Sequence, residues 1–182
     1  NDLGLSVALG GCGVSLEQLT RLYSSFANGG QFAHIRWLQE DDDTSALQII
    51  SPNAAFMVNE ILTQLTRPDL PNFYQNAKNV PLIAWKTGTS YGRKDAWSIG
   101  YNNNYTIGVW VGNFSGKGVP ELSGANVATP LLFNLFNAIE KENNKEWNTM
   151  PSSIQFRYDC SVTGKNPADF CDNVVLDYFI PG

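Results

Sequence analysis

The sequence predicts an α+β fold in which helices flank an antiparallel sheet. Segments with apolar residues at helical spacing stand on either side of a central stretch that reads as three successive strands. Residues 102–104 suit a tight hairpin and residues 91–94 make the other connection, so the sheet is expected to be antiparallel. At 182 residues, 43% of them hydrophobic, the chain suits one domain with a sizeable core.

The net charge and the lack of long apolar stretches argue against some classes of binding partner. The net charge of −5, from 12 basic and 17 acidic residues, argues against nucleic acid or an anionic membrane surface. No stretch approaches the roughly 20 apolar residues of a membrane span. The chain begins at Asn1 without a recognisable signal peptide, so we expect an internal fragment of a longer product.

The first helix is predicted from a capping box. The Ser15 hydroxyl is placed to cap the helix start and Gln18 to reach back to it, while Asn28-Gly29-Gly30 supplies a stop signal. The apolar residues expected to pack in the core are Leu16, Leu19, Leu22, Tyr23 and Phe26.

Two strands and a second helix are expected next. Residues 32–38 and 46–50 read as strands, with the acidic run 40–43 as a solvated turn between them. Ser51-Pro52 predicts a helix start, with the serine as cap and the proline at the first helical position, and Arg67-Pro68 predicts its end.

The central sheet is predicted from residues 83–90, 95–101 and 105–113. Asn102-Asn103-Asn104 suits a tight hairpin because asparagine tolerates positive φ. The third strand alternates, with Ile107, Val109 and Val111 on one face.

A third helix is expected from Thr129-Pro130 to residue 142, after a Gly-rich loop over residues 115–126. The residues expected on its buried side are Leu131, Leu132, Leu135, Phe136 and Ile139. We expect it to cover one face of the sheet. Strand-like pieces follow at 154–158 and 174–179.

The three cysteines leave two alternatives open. Cys160 and Cys171 could form a disulfide in an oxidising compartment, or all three thiols could be free. Zinc is not expected, because the only histidine, His34, lies far from that pair in the sequence. Cys12, between two glycines, is expected to be a small buried residue.

The segment Trp85-Lys86-Thr87-Gly88-Thr89-Ser90-Tyr91-Gly92, followed by 93–97, resembles the transpeptidase domain of class A penicillin-binding proteins, and within them the penicillin-binding protein 1C branch. Residues 9–16 and 26–30 resemble that family as well. The resemblance implies a penicillin-binding protein/β-lactamase-like transpeptidase fold. It also implies that residues 1–145 are the C-terminal part of the transpeptidase domain, and 146–182 an extension or the start of a following segment.

The resemblance implies peptidoglycan D,D-transpeptidation through a serine acyl-enzyme, and β-lactam binding. Lys86 and Thr89 would be catalytic, the lysine through its charge and the threonine through a backbone oxyanion donor. Thr87, Gly88, Thr89 and Ser90 would bind substrate as an added strand. The implied location is extracytoplasmic, with a parent anchored in the inner membrane that also carries a glycosyltransferase. No cofactor or metal is implied.

The nucleophile of that mechanism is absent from the sequence. No serine is followed three residues later by lysine: Ser15 is followed by Gln18, Ser51 by Ala54 and Ser90 by Arg93. Ser51-Pro52-Asn53 matches the second family motif, Ser-x-Asn, but is better explained as a helix start. The chain alone is therefore expected to be inactive and to need the missing upstream part of the same protein.

Two other functions stay open on the sequence. One is a penicillin-recognising sensor or a non-catalytic peptidoglycan-binding module. The other is a β-lactamase, for which no water-activating carboxylate is identified.

Overall fold

The computed structural model describes residues 4–38, 40, 45–71, 80–140, 147–168 and 170–181. Its regular elements, in chain order, are a 3₁₀ helix Gly4–Leu9, α1 Leu16–Ala27, β1 Gln31–Ala33, β2 Ala46–Gln48, α2 Pro52–Thr63, β3 Ala84–Thr89, β4 Asp95–Tyr101, β5 Thr106–Gly112, a π-helical turn Gly124–Ala128, α3 Thr129–Ile139, β6 Gln155–Cys160 and β7 Val174–Phe179. The strands pair antiparallel as β1-β2, β3-β4-β5 and β6-β7. The predicted α+β class is confirmed.

Helix α1 is built as its capping box predicts. The Gln18 N–H donates to the Ser15 hydroxyl, and the Ser15 N–H donates to the Gln18 side chain at 3.0 Å. At the other end Gly30 has φ +88°, and its N–H donates to Ser25 O at 2.7 Å. A side chain is rarely tolerated at that φ, so the glycine ends the helix.

Strands β1 and β2 are shorter than the sequence predicts. They cover three residues each, and apart from the half-buried Phe32 their side chains are exposed. An exposed strand gains little from side-chain packing, so nothing extends the pairing further. Of the predicted acidic turn, Glu40 is described and residues 41–43 lie outside the described part of the chain.

Helix α2 begins as predicted, with the Ser51 hydroxyl accepting from the Ala54 N–H at 3.2 Å. This is direct support for Ser51 as a helix cap. The helix ends at Thr63, four residues before the predicted stop at Arg67. Ile61 is exposed, while Asn59 is buried and hydrogen-bonds to Phe26 O, Asn148 and Tyr101.

The central sheet is covered on both faces. On one face Tyr101 packs against the rings of Tyr23 and Phe26 from α1. On the other, Trp85 packs edge-on against Phe133 of α3, with ring centroids 5.2 Å apart. The expectation of a helix over one face is met by α3, and α1 covers the second. The core cluster lies on the α3 side and comprises Ile83, Trp85, Ala96, Val109, Leu122, Ala128, Leu132, Phe133 and Phe136.

Helix α3 begins at Thr129 as predicted but differs from its prediction in end and face. A π-helical turn, Gly124–Ala128, precedes it inside the predicted loop, and the Ser123 hydroxyl caps that turn by accepting from the Asn126 N–H. The α-helix ends at Ile139. Leu131, Leu135 and Ile139 are exposed, and Phe133 is fully buried instead. Leu132 and Phe136 are buried as predicted.

The asparagine turn between β4 and β5 was predicted for the wrong reason. Among the described residues, Arg93 is the one non-glycine residue with positive φ, at 53°. Asn102 instead uses its side chain, whose oxygen accepts from the N–H groups of Asn104 and Tyr105 at 2.9 Å each. This Asx arrangement closes the turn without left-handed backbone.

The C-terminal hairpin is held by a disulfide and by contacts with α2. Cys160 and Cys171 are bonded, with their Cα atoms 6.1 Å apart, which decides between the two cysteine alternatives. The Tyr178 hydroxyl donates to Glu60 at 3.0 Å and its ring packs on Phe56. In the part of the chain that the structure describes, no helix is long and apolar enough to cross a membrane.

Candidate functional site

Of the site residues predicted from the sequence, Lys86, Thr87, Gly88 and Thr89 lie on β3 and Ser90 follows it directly. Strand β3 is an edge strand whose one partner in the three-stranded sheet is β4. The Ser90 N–H donates to Asp95 O at 3.0 Å. This bond shows which residues of β3 hydrogen-bond to β4, because in an antiparallel pair every second residue does so. Gly88 and Lys86 therefore direct their backbone groups toward β4, while Thr87 and Thr89 direct theirs off the free edge. Thr87 and Thr89 together present two backbone N–H groups and two carbonyls outward.

The side chains of this strand divide between the two faces of the sheet. Lys86 and Gly88 lie on the α1 face, and Thr87 and Thr89 lie on the α3 face. The exposed Lys86 ammonium donates to the outward Thr87 carbonyl at 2.8 Å. One edge thus combines a positive charge, two hydroxyls and outward N–H groups, a set suited to holding an anion or a developing oxyanion.

Thr89 is tied to the turn before α3. Its hydroxyl accepts from the Gly124 N–H at 3.0 Å, and the Gly124 carbonyl accepts from the buried Thr129 hydroxyl at 2.9 Å. The Thr89 hydroxyl keeps its own hydrogen to donate, because a hydroxyl both accepts and donates. This hydrogen bond holds the end of β3 from the α3 face of the sheet.

Gly88 and Gly124 lie in contact, but only Gly124 needs to be glycine for packing reasons. A Cβ at Gly124 would stand 2.5 Å from both Gly88 O and Trp97 O. A Cβ at Gly88 would meet Trp97 Cβ at an ordinary 3.6 Å. The described residues therefore leave room for a side chain at position 88.

A groove of about 530 Å³ runs along the α1 face of β3. Its β3 wall is formed by residues 86–90, and Asp95, Trp97 and Ile99 of β4 also line it. The opposite wall comprises Gly10, Cys12, Gly13, Val14, Leu19, Leu22 and Tyr23. The groove is polar at the strand and mostly apolar opposite it.

Ser90 and Asp95 hold the turn between β3 and β4. The Asp95 N–H donates to the Ser90 hydroxyl at 2.8 Å, and the Asp95 carboxylate accepts from the Trp110 indole at 3.0 Å. Beyond them Tyr91 is fully exposed, and the Arg93 guanidinium donates to Pro120 O. Ser90 is thus placed at the groove end, where its hydroxyl already has one structural partner.

Sequence reasoning missed the wall opposite β3. Cys12 was expected to be buried but is exposed and lines the groove, because the segment around it bends without packing on the core. Tyr23 was assigned to the core and also lines the groove, and burial raises the pKa of its phenol. Gly124 carried no signal beyond lying in a Gly-rich stretch. The exposure of Cys12 and the positions of Tyr23 and Gly124 depend on residues that are distant in the sequence, so local sequence patterns do not predict them.

The described residues contain no group of three or more His, Cys, Asp or Glu side chains able to hold a metal ion.

A model of the penicillin-binding protein transpeptidase domain matches residues 2–127. Penicillin-binding protein 1C of Escherichia coli (strain K12) is 37% identical over 151 residues, covering 82% of this chain and 19% of that protein. Penicillin-binding protein 4 of Bacillus subtilis (strain 168) is 30% identical over 125 residues, covering 62% of this chain and 20% of that protein. The chain thus spans about a fifth of the length of these relatives.

Solved structures agree on the fold. Penicillin-binding protein 1A from Haemophilus influenzae superimposes with a TM-score of 0.71 at 20% identity, covering 97% of this chain and 33% of that one. PonA1 from Mycobacterium tuberculosis gives a TM-score of 0.56 at 18% identity, covering 80% and 42%.

Proposed function

This chain belongs to the penicillin-binding protein transpeptidase family, and we propose that it forms the Lys-Thr-Gly wall of a peptidoglycan D,D-transpeptidase site that is also the target of β-lactams. The observation that carries the proposal is the free edge of β3, where the backbone N–H and carbonyl groups of Thr87 and Thr89 point outward and Lys86 lies beside them. A peptide can add to such an edge as an extra strand.

Each residue has a distinct role in this proposal. Lys86 supplies a positive field near the reacting serine. The hydroxyls of Thr87 and Thr89 bind the carboxylate of the D-Ala-D-Ala donor or of a β-lactam. The outward N–H of Thr89 donates to the oxyanion formed when the serine oxygen attacks the donor carbonyl. Ser90 contacts substrate at the end of the strand.

The open space around Gly88 supports this assignment. Its φ is not positive, and a Cβ there would meet only an ordinary contact with Trp97 among the described residues. Neither backbone conformation nor internal packing therefore accounts for glycine at this position. A substrate lying along the strand edge accounts for it, because a side chain would obstruct that approach.

The nucleophile comes from elsewhere in the same protein. The sequence holds no Ser-x-x-Lys, so we place that motif and Ser-x-Asn in an upstream part that completes the cleft. The serine expels the terminal D-alanine to form the acyl-enzyme, and the amine of an acceptor stem peptide then displaces the serine oxygen to form the crosslink. This chain by itself is inactive in the proposal.

The parent protein is extracytoplasmic in this proposal, anchored in the inner membrane, and bifunctional with a glycosyltransferase. The Cys160–Cys171 disulfide supports an oxidising location, since such bonds are rare in the cytosol. We place the transpeptidase part at 1–145 and an extension at 146–182. The family match ends at residue 127, and we include α3 in the transpeptidase part because its Leu132, Phe133 and Phe136 pack in the same core.

The test is fluorescent penicillin labelling of the intact parent together with a crosslinking assay on lipid-linked precursors. Lys86→Ala should lower the labelling rate at least about a hundredfold, because it removes the positive charge from the site. Lys94→Ala, an exposed lysine one turn away, is the matched control and should label normally.

Three results would contradict parts of this proposal. An intact protein that takes no penicillin contradicts the acyl-enzyme proposal. Labelling without any crosslinked product would identify a penicillin-recognising sensor instead. A stable adduct on this chain alone would refute the assignment of the nucleophile to another segment.

A further inference from the structure

A row of aromatic side chains leads away from the groove across the sheet. Trp97, which lines the groove beside Gly88, is followed by Trp110 on the neighbouring strand, with ring centroids 6.4 Å apart. Phe114 comes next, 5.5 Å from Trp110. We call Trp97, Trp110 and Phe114 the aromatic row. It starts at the substrate wall and ends in the turn after β5.

The middle ring of the row is held in a fixed position. The Trp110 indole N–H donates to the Asp95 carboxylate at 3.0 Å. A Cβ at Gly112 would stand 2.6 Å from Trp110 Cζ2, so the missing side chain makes room for the indole to lie along the strand. A half-buried ring fixed in this way loses little conformational freedom when a ligand packs on it.

The last ring of the row is completely exposed. Phe114 is 101% exposed and stands in a turn closed by the Gly116 N–H donating to Asn113 O at 2.9 Å. Among the described residues, Trp110 is the one aromatic ring that contacts Phe114. A large apolar side chain that gains no burial here, contiguous with two others, indicates a contact surface.

We propose that the aromatic row binds the glycan of a peptidoglycan strand, through the apolar faces of its N-acetylated hexosamine rings. The inference rests on the proposed function and names a further part of the same substrate. A stem peptide is covalently attached to this glycan, so the sugar lies within the length of that peptide from the peptide-binding edge. The row is continuous with that edge at Trp97 and Gly88.

The chemistry of the surface favours a sugar over an apolar peptide. Flat rings accept the C–H face of a pyranose. The row is flanked by exposed polar groups able to bond hydroxyl and acetamido groups, namely Asn113, Ser115 and Lys117. A row of three rings is also far smaller than the surface a stable protein interface requires.

The test is ligand-observed saturation-transfer NMR on the intact parent protein, with a β-1,4-linked N-acetylglucosamine tetramer as the probe. Phe114→Ala should weaken tetramer binding about fivefold, and Phe114→Tyr should retain it because the ring remains. Phe170→Ala is the matched control: Phe170 is 94% exposed but lies in the disulfide loop. It should bind the tetramer as the wild type does.

Three results would overturn the glycan proposal: no saturation transfer from the protein to millimolar tetramer, equal binding by Phe114→Ala and wild type, or displacement of the tetramer by a sugar-free stem peptide. Penicillin labelling of the wild-type protein is measured alongside, so that failure of this inference can be told from failure of the proposed function. Labelling without tetramer binding would contradict this inference alone. Tetramer binding that depends on Phe114, without labelling, would contradict the proposed transpeptidase and leave a glycan-binding surface.

Discussion

Replacing Gly124 by alanine tests whether the turn before α3 fixes the substrate edge. Gly124 is buried against the adjacent strands β3 and β4, and its N–H donates to the Thr89 hydroxyl. The added Cβ would meet Gly88 O and Trp97 O at 2.5 Å and Gly88 N at 3.1 Å. All three atoms are backbone, so no side chain can rotate away and the strand or the turn must move.

The size of the effect follows from two opposing contributions. Two carbon–oxygen contacts must lengthen by almost an ångström, and overpacking of this kind costs about 1–3 kcal/mol. Alanine in a helical turn recovers up to about 1 kcal/mol relative to glycine. We expect a net loss of about 1–2 kcal/mol, together with displacement of Thr89. A misplacement near 1 Å lowers the rate of acylation by about a hundredfold.

The assay pairs thermal unfolding of the intact protein with the rate of fluorescent penicillin labelling. Gly13→Ala is the control for unfolding, because a Cβ there meets nothing within 4 Å. It should unfold like the wild type. A Gly124→Ala protein with wild-type stability and labelling rate would show that the turn does not position β3.

Three further predictions concern stability. Tyr101→Phe should reduce the loss of stability at alkaline pH. Burial, with a smaller effect of the nearby Tyr23, raises the pKa of Tyr101, so the unfolded tyrosine ionises first and the wild type loses up to about 1.4 kcal/mol per pH unit above about pH 10. Urea unfolding at pH 8 and above shows whether the free energy of unfolding falls less steeply with pH in the variant. Replacing Cys160 and Cys171 by serine should cost the hairpin about 3 kcal/mol, seen as faster limited proteolysis after residue 147, and an unchanged cleavage rate would contradict it. Arg67→Ala should cost about 3 kcal/mol in thermal unfolding, because Arg67 is buried and paired with a carboxylate at 2.7 Å; a loss under about 1 kcal/mol would mean the pair is dispensable.

Elements with local signals were predictable from the sequence. Ser15 and Ser51 cap helices because their hydroxyls meet N–H groups three residues away, an interaction encoded within four positions. The alternation of Ile107, Val109 and Val111 predicted the face that packs on the core. Lys86 and Thr89 were identified by their motif, and the structure brings them to one strand edge.

Features set by distant neighbours were not predictable. The buried face of α3 includes Phe133, which packs on Trp85, more than 40 residues away. The exposure of Cys12 depends on packing across the groove. Arg93 adopts positive φ although its type disfavours it, and its side chain and carbonyl both bond to the 119–120 segment. Local propensity carries no information on such contacts.

A crystal structure of the intact parent protein acylated by a β-lactam would test the role of β3 most directly. The acyl carbonyl oxygen should lie about 3 Å from the Thr89 backbone nitrogen, and the ligand carboxylate should accept from the hydroxyls of Thr87 and Thr89. An acyl group bound through a serine but with no atom of β3 in hydrogen-bond contact would contradict the assignment of this strand as the substrate wall.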